Sequence, residues 1–507
     1  MGQWHEIKEK SDFNVLILSG LLCLGFVAFV AAFPAKTAAV FDQCLSFFTV
    51  NFGWLYSLVV ILFIVILFWL FFSKYGKIVL GKDDDQPEYS TLSWLFMLFA
   101  AGMGIGIVFW SVAEPMSHYL WPPYGEGSTI ESAKLAMQYS FLHWGIHPWA
   151  IYGIIGLILA YFQYRKGKPA LLSSCFIPLI GETRANGRWG SAINTFSVII
   201  TVFGVAASLG FGVIQINSGL NYVFGIPNTN GVKIFLIIVT TTLFIISSVS
   251  GIDRGVKILS DTNMAIAGIL MLFVFILGPS LFIVNYFVDS LGAYLTSIIS
   301  TSFWTDSFQS TNGWLSGWTI FYWAWWLSWG PFVGGFIARI SKGRTIRTFV
   351  AGTLFCPVIL SFLFFSIMGG TAINLDLGGN TAIAEAMGQD ISYALFAMLY
   401  QLPFPLLTSV ISMVLISIFF ITSADSSTFV CAMMTSRGVQ NPPLLLRGFW
   451  GVAEAGVAIV LLMAGGLSAL KTISIIVAFP FMLMCVFMII AFFKALRDDP
   501  VIGGKHA

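Results

Sequence analysis

The chain of 507 residues is 58% hydrophobic and 16% aromatic, with only 9% charged residues. So little charge cannot cover a water-soluble protein of this length; the net charge of +2 says nothing about nucleic acid, which is not among the expected partners. Apolar runs of about 18 residues or more recur from end to end, which is the pattern of helices that cross a lipid bilayer. The six cysteines (Cys23, Cys44, Cys175, Cys356, Cys431, Cys485) are scattered without a CxxC pair and read as small packing residues.

The elements predict an all-α polytopic membrane protein with about twelve spans. In order these are 13–34, 51–73, 92–114, 135–164, 190–223, 233–250, 258–287, 314–339, 348–373, 402–436, 447–466 and 470–493. The first apolar run, Phe13 to Phe33, is too long for a signal-peptide core and shows no small-x-small cleavage pattern, so it reads as a retained helix. Several spans exceed the roughly 20 residues needed to cross, which predicts tilt or extension beyond the bilayer. Of the 25 basic residues, only Lys36, Lys134, Lys233 and Lys471 fall on one side of this arrangement. The positive-inside rule then makes both termini cytoplasmic. Segment 288–306 has amphipathic spacing and is expected along the membrane interface, and the outer loop 374–401 has room for a short surface helix.

The third span carries Gly102, Gly104 and Gly106 at alternate positions in mid-membrane. Each glycine costs a helix about 1 kcal/mol relative to alanine. They either let another helix approach closely or mark an unwound segment whose free carbonyls line a site, as in many secondary transporters. The tenth span is interrupted by Thr422-Ser423-Ala424-Asp425-Ser426-Ser427-Thr428. These hydroxyls either back-bond to their own helix or offer oxygens to a hard cation such as Na⁺. Asp425 and Glu454 are ionisable residues within spans and stand as proton carriers if coupling is to protons. Glu114, at the end of the third span, reads as a cap or loop-orienting residue. His143 and His147 are four residues apart with no third metal ligand nearby, and read as structural hydrogen-bonding groups.

In the eighth span Tyr322, Trp325, Trp326 and Trp329 share one helix face; Trp318 extends it and Trp323 points away. Trp144, Trp149 and Tyr152 form a second aromatic group in HWGIHPWAIY, where Pro148 frees a carbonyl and re-aims the rings. Aromatic belts sit at span ends, and Trp325 to Trp329 lie well inside theirs. Two such faces in mid-membrane suit a box for an organic ammonium, which gains about 0.5–2 kcal/mol per ring when desolvated.

The motifs GWTIFYWAWW (317–326), ARISKGRT (338–345), AGMGIG (101–106), HWGIHPWAIY (143–152) and TSADSS (422–427) together resemble the betaine/carnitine/choline transporters, over the whole chain and in the same order. The resemblance implies a homotrimer of twelve-span protomers in a bacterial inner membrane. It implies two inverted five-helix repeats of the leucine-transporter type behind two peripheral helices. The division would be 1–90 for the tail and peripheral spans, 91–288 and 314–493 for the repeats, 289–313 for the interfacial linker and 494–507 for a short cytoplasmic tail. By motif position, Trp144, Trp149, Tyr152 and Trp326 would form the box, Trp325 and Trp329 would line the inward route, and Phe109 would lie close by. For the sodium-coupled members, one Na⁺ would be held by Ala100, Met103 and Phe419 carbonyls with Thr422 and Ser423 hydroxyls. A second family site would use Thr201 and Phe332, but Val205 stands where another threonine is expected, which puts that site in doubt.

The implied activity is import of a trimethylammonium compound, glycine betaine foremost, by Na⁺ symport and alternating access. Proton-coupled choline carriers resemble this chain but hold Asp at the position of Gly106, and carnitine/butyrobetaine exchangers lose the glycines. The short tail, Lys494 to Ala507, differs from the long basic tail of osmotically activated members and leaves room for nutrient uptake of choline, carnitine or a smaller amine such as trimethylamine. An H⁺-coupled carrier or a substrate-gated channel is the further alternative. Neither HExxH nor a nucleophile elbow occurs, so an enzyme is not expected, and no cofactor beyond the coupling ion is expected.

Overall fold

The computed structural model describes residues 2–102, 104–249 and 253–500. The first long helix, α1 (Phe13–Ala32), starts at Asp12, whose carboxylate accepts the N–H groups of Asn14 and Val15 at 3.1 and 3.3 Å. Phe33 interrupts the chain, and Pro34 opens α2 (Pro34–Phe72) from a first-turn position where its missing N–H costs nothing. The expected loop over 35–50 is therefore helical. Lys36, Asp42 and Gln43 lower its hydropathy, but no residue there breaks a helix.

Next come α3 (Thr91–Gly102) and α4 (Ile105–Leu120), then α5 (Ile130–Trp144) and α6 (Ile146–Ala160). Thr129 caps α5 in a reciprocal box with Ser132. The fourth apolar run is broken at Gly145 (φ −93, ψ −132), not at Pro148 as the sequence suggested. Pro148 falls in the first turn of α6, where it disturbs nothing.

α7 (Arg188–Phe224) ends at left-handed Gly225 (φ 69). It is followed by α8 (Asn230–Val249), α9 (Asp253–Leu277) and α10 (Ser280–Ser302). Gly278 and Pro279 thus end the seventh run near 278, nine residues before the expected 287, and the amphipathic stretch continues as one 23-residue helix from Ser280.

A π-turn at Ser316–Ile320 leads into α11 (Phe321–Ile340), and α12 (Ile346–Leu377) follows. The loop from 374 carries α13 (Ala382–Gln389) and α14 (Ala394–Leu399). α13 falls on the run up to Gly388 where a short surface helix is expected, and α14 behind it is buried throughout. Last come α15 (Pro405–Met434) and α16 (Leu444–Arg497), the latter kinked at Gly465 (φ 178, ψ 12) and Gly466 (φ 58, ψ −131).

Among the described residues, eight helical stretches are long and apolar enough to cross a membrane, with shorter apolar helices at Asn230–Ile246 and Asp261–Leu277. The most apolar windows of Ile130–Arg165 and Arg188–Phe224 are 94% buried, against 28% for α1 and 22% for α10. The first two form the centre and the last two the rim, where Leu21, Leu281 and Ile299 face outward. α6 and α11 touch backbone to backbone, because a Cβ on Gly334 would lie 2.7 Å from Ile155 and one on Gly156 3.1 Å from the Gly334 carbonyl. This contact sets the two aromatic faces against each other.

Candidate functional site

α6 and the end of α5 carry Trp144, Trp149 and Tyr152, and α11 carries Trp325, Trp326 and Trp329; all six are buried. Trp144 meets Trp326 edge-on, with ring centroids 4.9 Å apart at 79°, and Tyr152 meets it at 6.1 Å and 76°. Trp325 stacks on Trp326 at 4.6 Å and 17°, and Trp149 stands against Tyr152 at 5.8 Å. The three indoles of α11 are anchored through their N–H groups: Trp326 donates to the His143 carbonyl (3.1 Å), Trp325 to Ser208 Oγ (2.9 Å) and Trp329 to the Gly204 carbonyl (3.0 Å). Trp149 Nε1 and Tyr152 OH are buried without a hydrogen-bond partner. Such donors are costly when left unpaired, so they are available to a ligand. Phe109 sits one layer back, against Phe211 at 5.9 Å, which in turn meets Trp325 edge-on at 5.1 Å.

The structure corrects the reading of Glu114, which is fully buried rather than a loop cap. Its carboxylate accepts from Trp144 Nε1 at 2.7 Å and from Tyr322 OH, and lies 2.7 Å from His143 Nδ1 and 3.3 Å from His118 Nε2. Glu114 therefore joins both aromatic faces. Three of its partners lie 29, 30 and 208 positions along the chain, beyond any local pattern, whereas His118 is one helical turn on. His118 is the third group missing from the sequence reading: Glu114, His118 and His143 bring donor atoms within 4.8 Å of one another. These atoms serve hydrogen bonds within the cluster, and His143 Nε2 also lies 2.9 Å from Thr319 Oγ1. His147 faces elsewhere, stacking on Trp323 (4.8 Å, 10°) and bonding Ser302 (2.7 Å).

The glycine-rich stretch does break its helix: α3 stops at Gly102, α4 starts at Ile105, and Gly104 is non-helical (φ −139, ψ −135). Met103 lies outside the described residues. Side chains are excluded from this region by the box itself. A Cβ on Gly102 would stand 2.5 Å from the Trp149 ring, and one on Gly106 would stand 2.6 Å from Trp325 and 3.2 Å from Trp144. A Cβ on Gly104 would lie 3.4 Å from Ser423 Oγ, so the break faces the hydroxyl cluster of α15. Ala100 occupies the last turn of α3. On α15, Thr422 Oγ1 donates back to the carbonyls of Ile418 (3.0 Å) and Phe419 (3.3 Å). Thr201 likewise bonds its own helix at Ser197 (2.9 Å), beside buried Val205 on α7, while Phe332 packs on Trp329 at 5.6 Å.

A cavity of about 960 Å³ begins at Phe332, one turn beyond Trp329, and runs past Thr422 and Asp425 to Arg339. Asp425 within it accepts from Arg447 Nη2 at 2.7 Å. Glu454 is fully buried outside the cavity lining, accepting from Ser427 Oγ at 2.8 Å with Cys431 Sγ at 3.9 Å.

Residues 14–501 match the family model described as "BCCT, betaine/carnitine/choline family transporter". The chain is 48% identical over 468 residues to a Bacillus subtilis (strain 168) protein named glycine betaine transporter OpuD, covering 92% of this chain and 91% of the relative. It is 45% identical over 494 residues to a probable glycine betaine transporter of Desulfitobacterium hafniense (strain Y51), covering 97% and 99%. It is 42% identical over 492 residues to an ectoine/hydroxyectoine transporter of Virgibacillus pantothenticus, covering 96% and 97%.

Proposed function

Because the chain belongs to the betaine/carnitine/choline family of transporters, we propose that it imports a trimethylammonium compound, with glycine betaine the first candidate, by Na⁺ symport and alternating access. The observation that carries this reading is the buried enclosure of Trp144, Trp149, Tyr152, Trp325 and Trp326, in which Trp149 Nε1 and Tyr152 OH lack partners. A methylated ammonium is attracted by ring faces and asks for no hydrogen bond. A carboxylate on the same molecule would take the two free donors and the positive N-terminal end of α4, which starts at Ile105 beside Gly106.

One Na⁺ would sit at the helix break, between the carbonyls of Ala100 and Met103 and those oxygens of α15 on Phe419, Thr422 and Ser423. The approach of Gly104 to Ser423 supports this pairing. Val205 supplies no hydroxyl beside Thr201, which supports a single-ion cycle. The cavity leading to Arg339 would be the route to the cytoplasm, consistent with the concentration of Lys and Arg at that end. On this reading the protomer has twelve spans in two inverted repeats, both termini are cytoplasmic, and three protomers assemble in a bacterial inner membrane.

The relative named for ectoine and hydroxyectoine favours a second reading, in which the box accepts a delocalised cation of another shape. Uptake by purified protein in liposomes decides, crossing glycine betaine, choline, carnitine, trimethylamine and ectoine with imposed Na⁺ and H⁺ gradients. Na⁺-driven accumulation of glycine betaine is expected. Undiminished uptake without Na⁺ would overturn the coupling and turn attention to Asp425 and Glu454 as proton carriers.

A further inference from the structure

Lys471 is one of the few basic residues at the end of the molecule remote from the cavity, and it is partly buried in the segment after the Gly465–Gly466 kink. Its ammonium has found an aromatic setting of its own. Nζ lies 4.5 Å from the Phe321 ring centroid, 4.8 Å from Trp318 and 5.7 Å from Trp110, and donates to the Gly317 carbonyl at 2.5 Å. Those groups come from α4, from the π-turn and from the first residue of α11, so one side chain of α16 ties these elements together. Gly317 and Arg339 stand at opposite ends of the same helical stretch, about 33 Å apart at 1.5 Å per residue, with the box between them. The cage also communicates with the box, because Phe321 stacks on Trp325 (5.6 Å, 13°) and Trp325 on Trp326.

We propose that Lys471 is a tethered ammonium that latches the transport pathway shut at this end, by seating in the Trp110/Trp318/Phe321 cage and on the Gly317 carbonyl. The inference rests on the alternating-access reading above. An open state at this end requires the π-turn and α4 to separate, and the separation must first release the lysine. The kink separates the helical turn that carries Lys471 from the part of α16 before it, and Gly466 there holds a positive φ that side chains disfavour.

The test is a cysteine at Ser316, beside the latch, in a chain whose six native cysteines are replaced, labelled in detergent by a hydrophilic maleimide. Detergent exposes both ends, so the result does not depend on orientation or on any substrate. Lys471→Met should raise the labelling rate about fivefold or more, and Lys471→Arg should stay near the parent rate. Trp318→Leu should give a smaller rise and decides the matter if Lys471→Met does not fold. Unchanged labelling in folded Lys471→Met and Trp318→Leu would overturn the latch. Failure of the parent protein to move glycine betaine in liposomes would instead count against the substrate reading, leaving the labelling result to judge the latch alone.

Discussion

Trp144 gives its indole N–H to the Glu114 carboxylate at 2.7 Å, across 30 positions of sequence, while Tyr322 gives its hydroxyl to the same oxygen from the opposing helix. One buried acid thus fixes the angle between the two aromatic faces. Glu114→Gln keeps the size but replaces one of the two acceptor oxygens with an amide NH2 group that cannot accept. A buried donor left unpaired costs about 1–3 kcal/mol. We expect a lower melting temperature and at least a tenfold weaker glycine betaine affinity, read by tryptophan fluorescence titration. Native affinity in Glu114→Gln would remove the acid from the positioning of the box.

Trp326 touches Trp144, Tyr152 and Trp325, so it is the ring most central to the enclosure. Trp326→Leu keeps an apolar side chain and removes the π-face. Loss of about 0.5–2 kcal/mol of cation–π attraction predicts roughly 2- to 30-fold weaker binding of any methylated ammonium, with the fold retained. Equal affinity in wild type and variant would dismiss the box.

Tyr152→Phe separates the two ends of the ligand. The hydroxyl has no protein partner, so its removal leaves the protein's own hydrogen bonds intact. Binding of glycine betaine should weaken by about 1 kcal/mol, roughly fivefold, while choline, which lacks a carboxylate, should bind as before. A parallel loss for both ligands would mean that the hydroxyl only shapes the ring.

At Gly106 the available space is the constraint. A methyl there would sit 2.6 Å from the Trp325 ring. Gly106→Ala should cost about 1–3 kcal/mol of packing strain, seen as a lower melting temperature together with lost uptake. A fully active, equally stable Gly106→Ala protein would show that the rings retreat freely.

For the coupling ion, Thr422→Ala with Ser423→Ala should raise the Na⁺ concentration for half-maximal uptake by about tenfold and leave binding of substrate at saturating Na⁺ nearly unchanged. An unaltered Na⁺ dependence would move the ion elsewhere.

How far the sequence could be read depended on whether its signals were local. The break at 102–105 was legible because alternating glycines are a local feature, and the Tyr322/Trp325/Trp326 face because helical spacing alone defines it. The break at Gly145 is obscured in the sequence by Pro148, a louder signal three residues away, although a proline in a first turn breaks nothing. The start of α2 is hidden because hydropathy measures lipid preference: Lys36, Asp42 and Gln43 lower it yet remain competent to form a helix. Glu114 is illegible for a different reason: a carboxylate near a span end is ordinarily wet, and only the meeting of α4, α5 and α11 encloses it. Met103 falls outside the described residues.

The stacking of Trp325 on Trp326 at 4.6 Å and 17° has an optical consequence. Indoles so close and so nearly parallel share their excited states, so the pair should give a split near-ultraviolet circular dichroism band. A cation seated against the Trp326 ring should perturb that band, which would make the protein its own label-free reporter of occupancy.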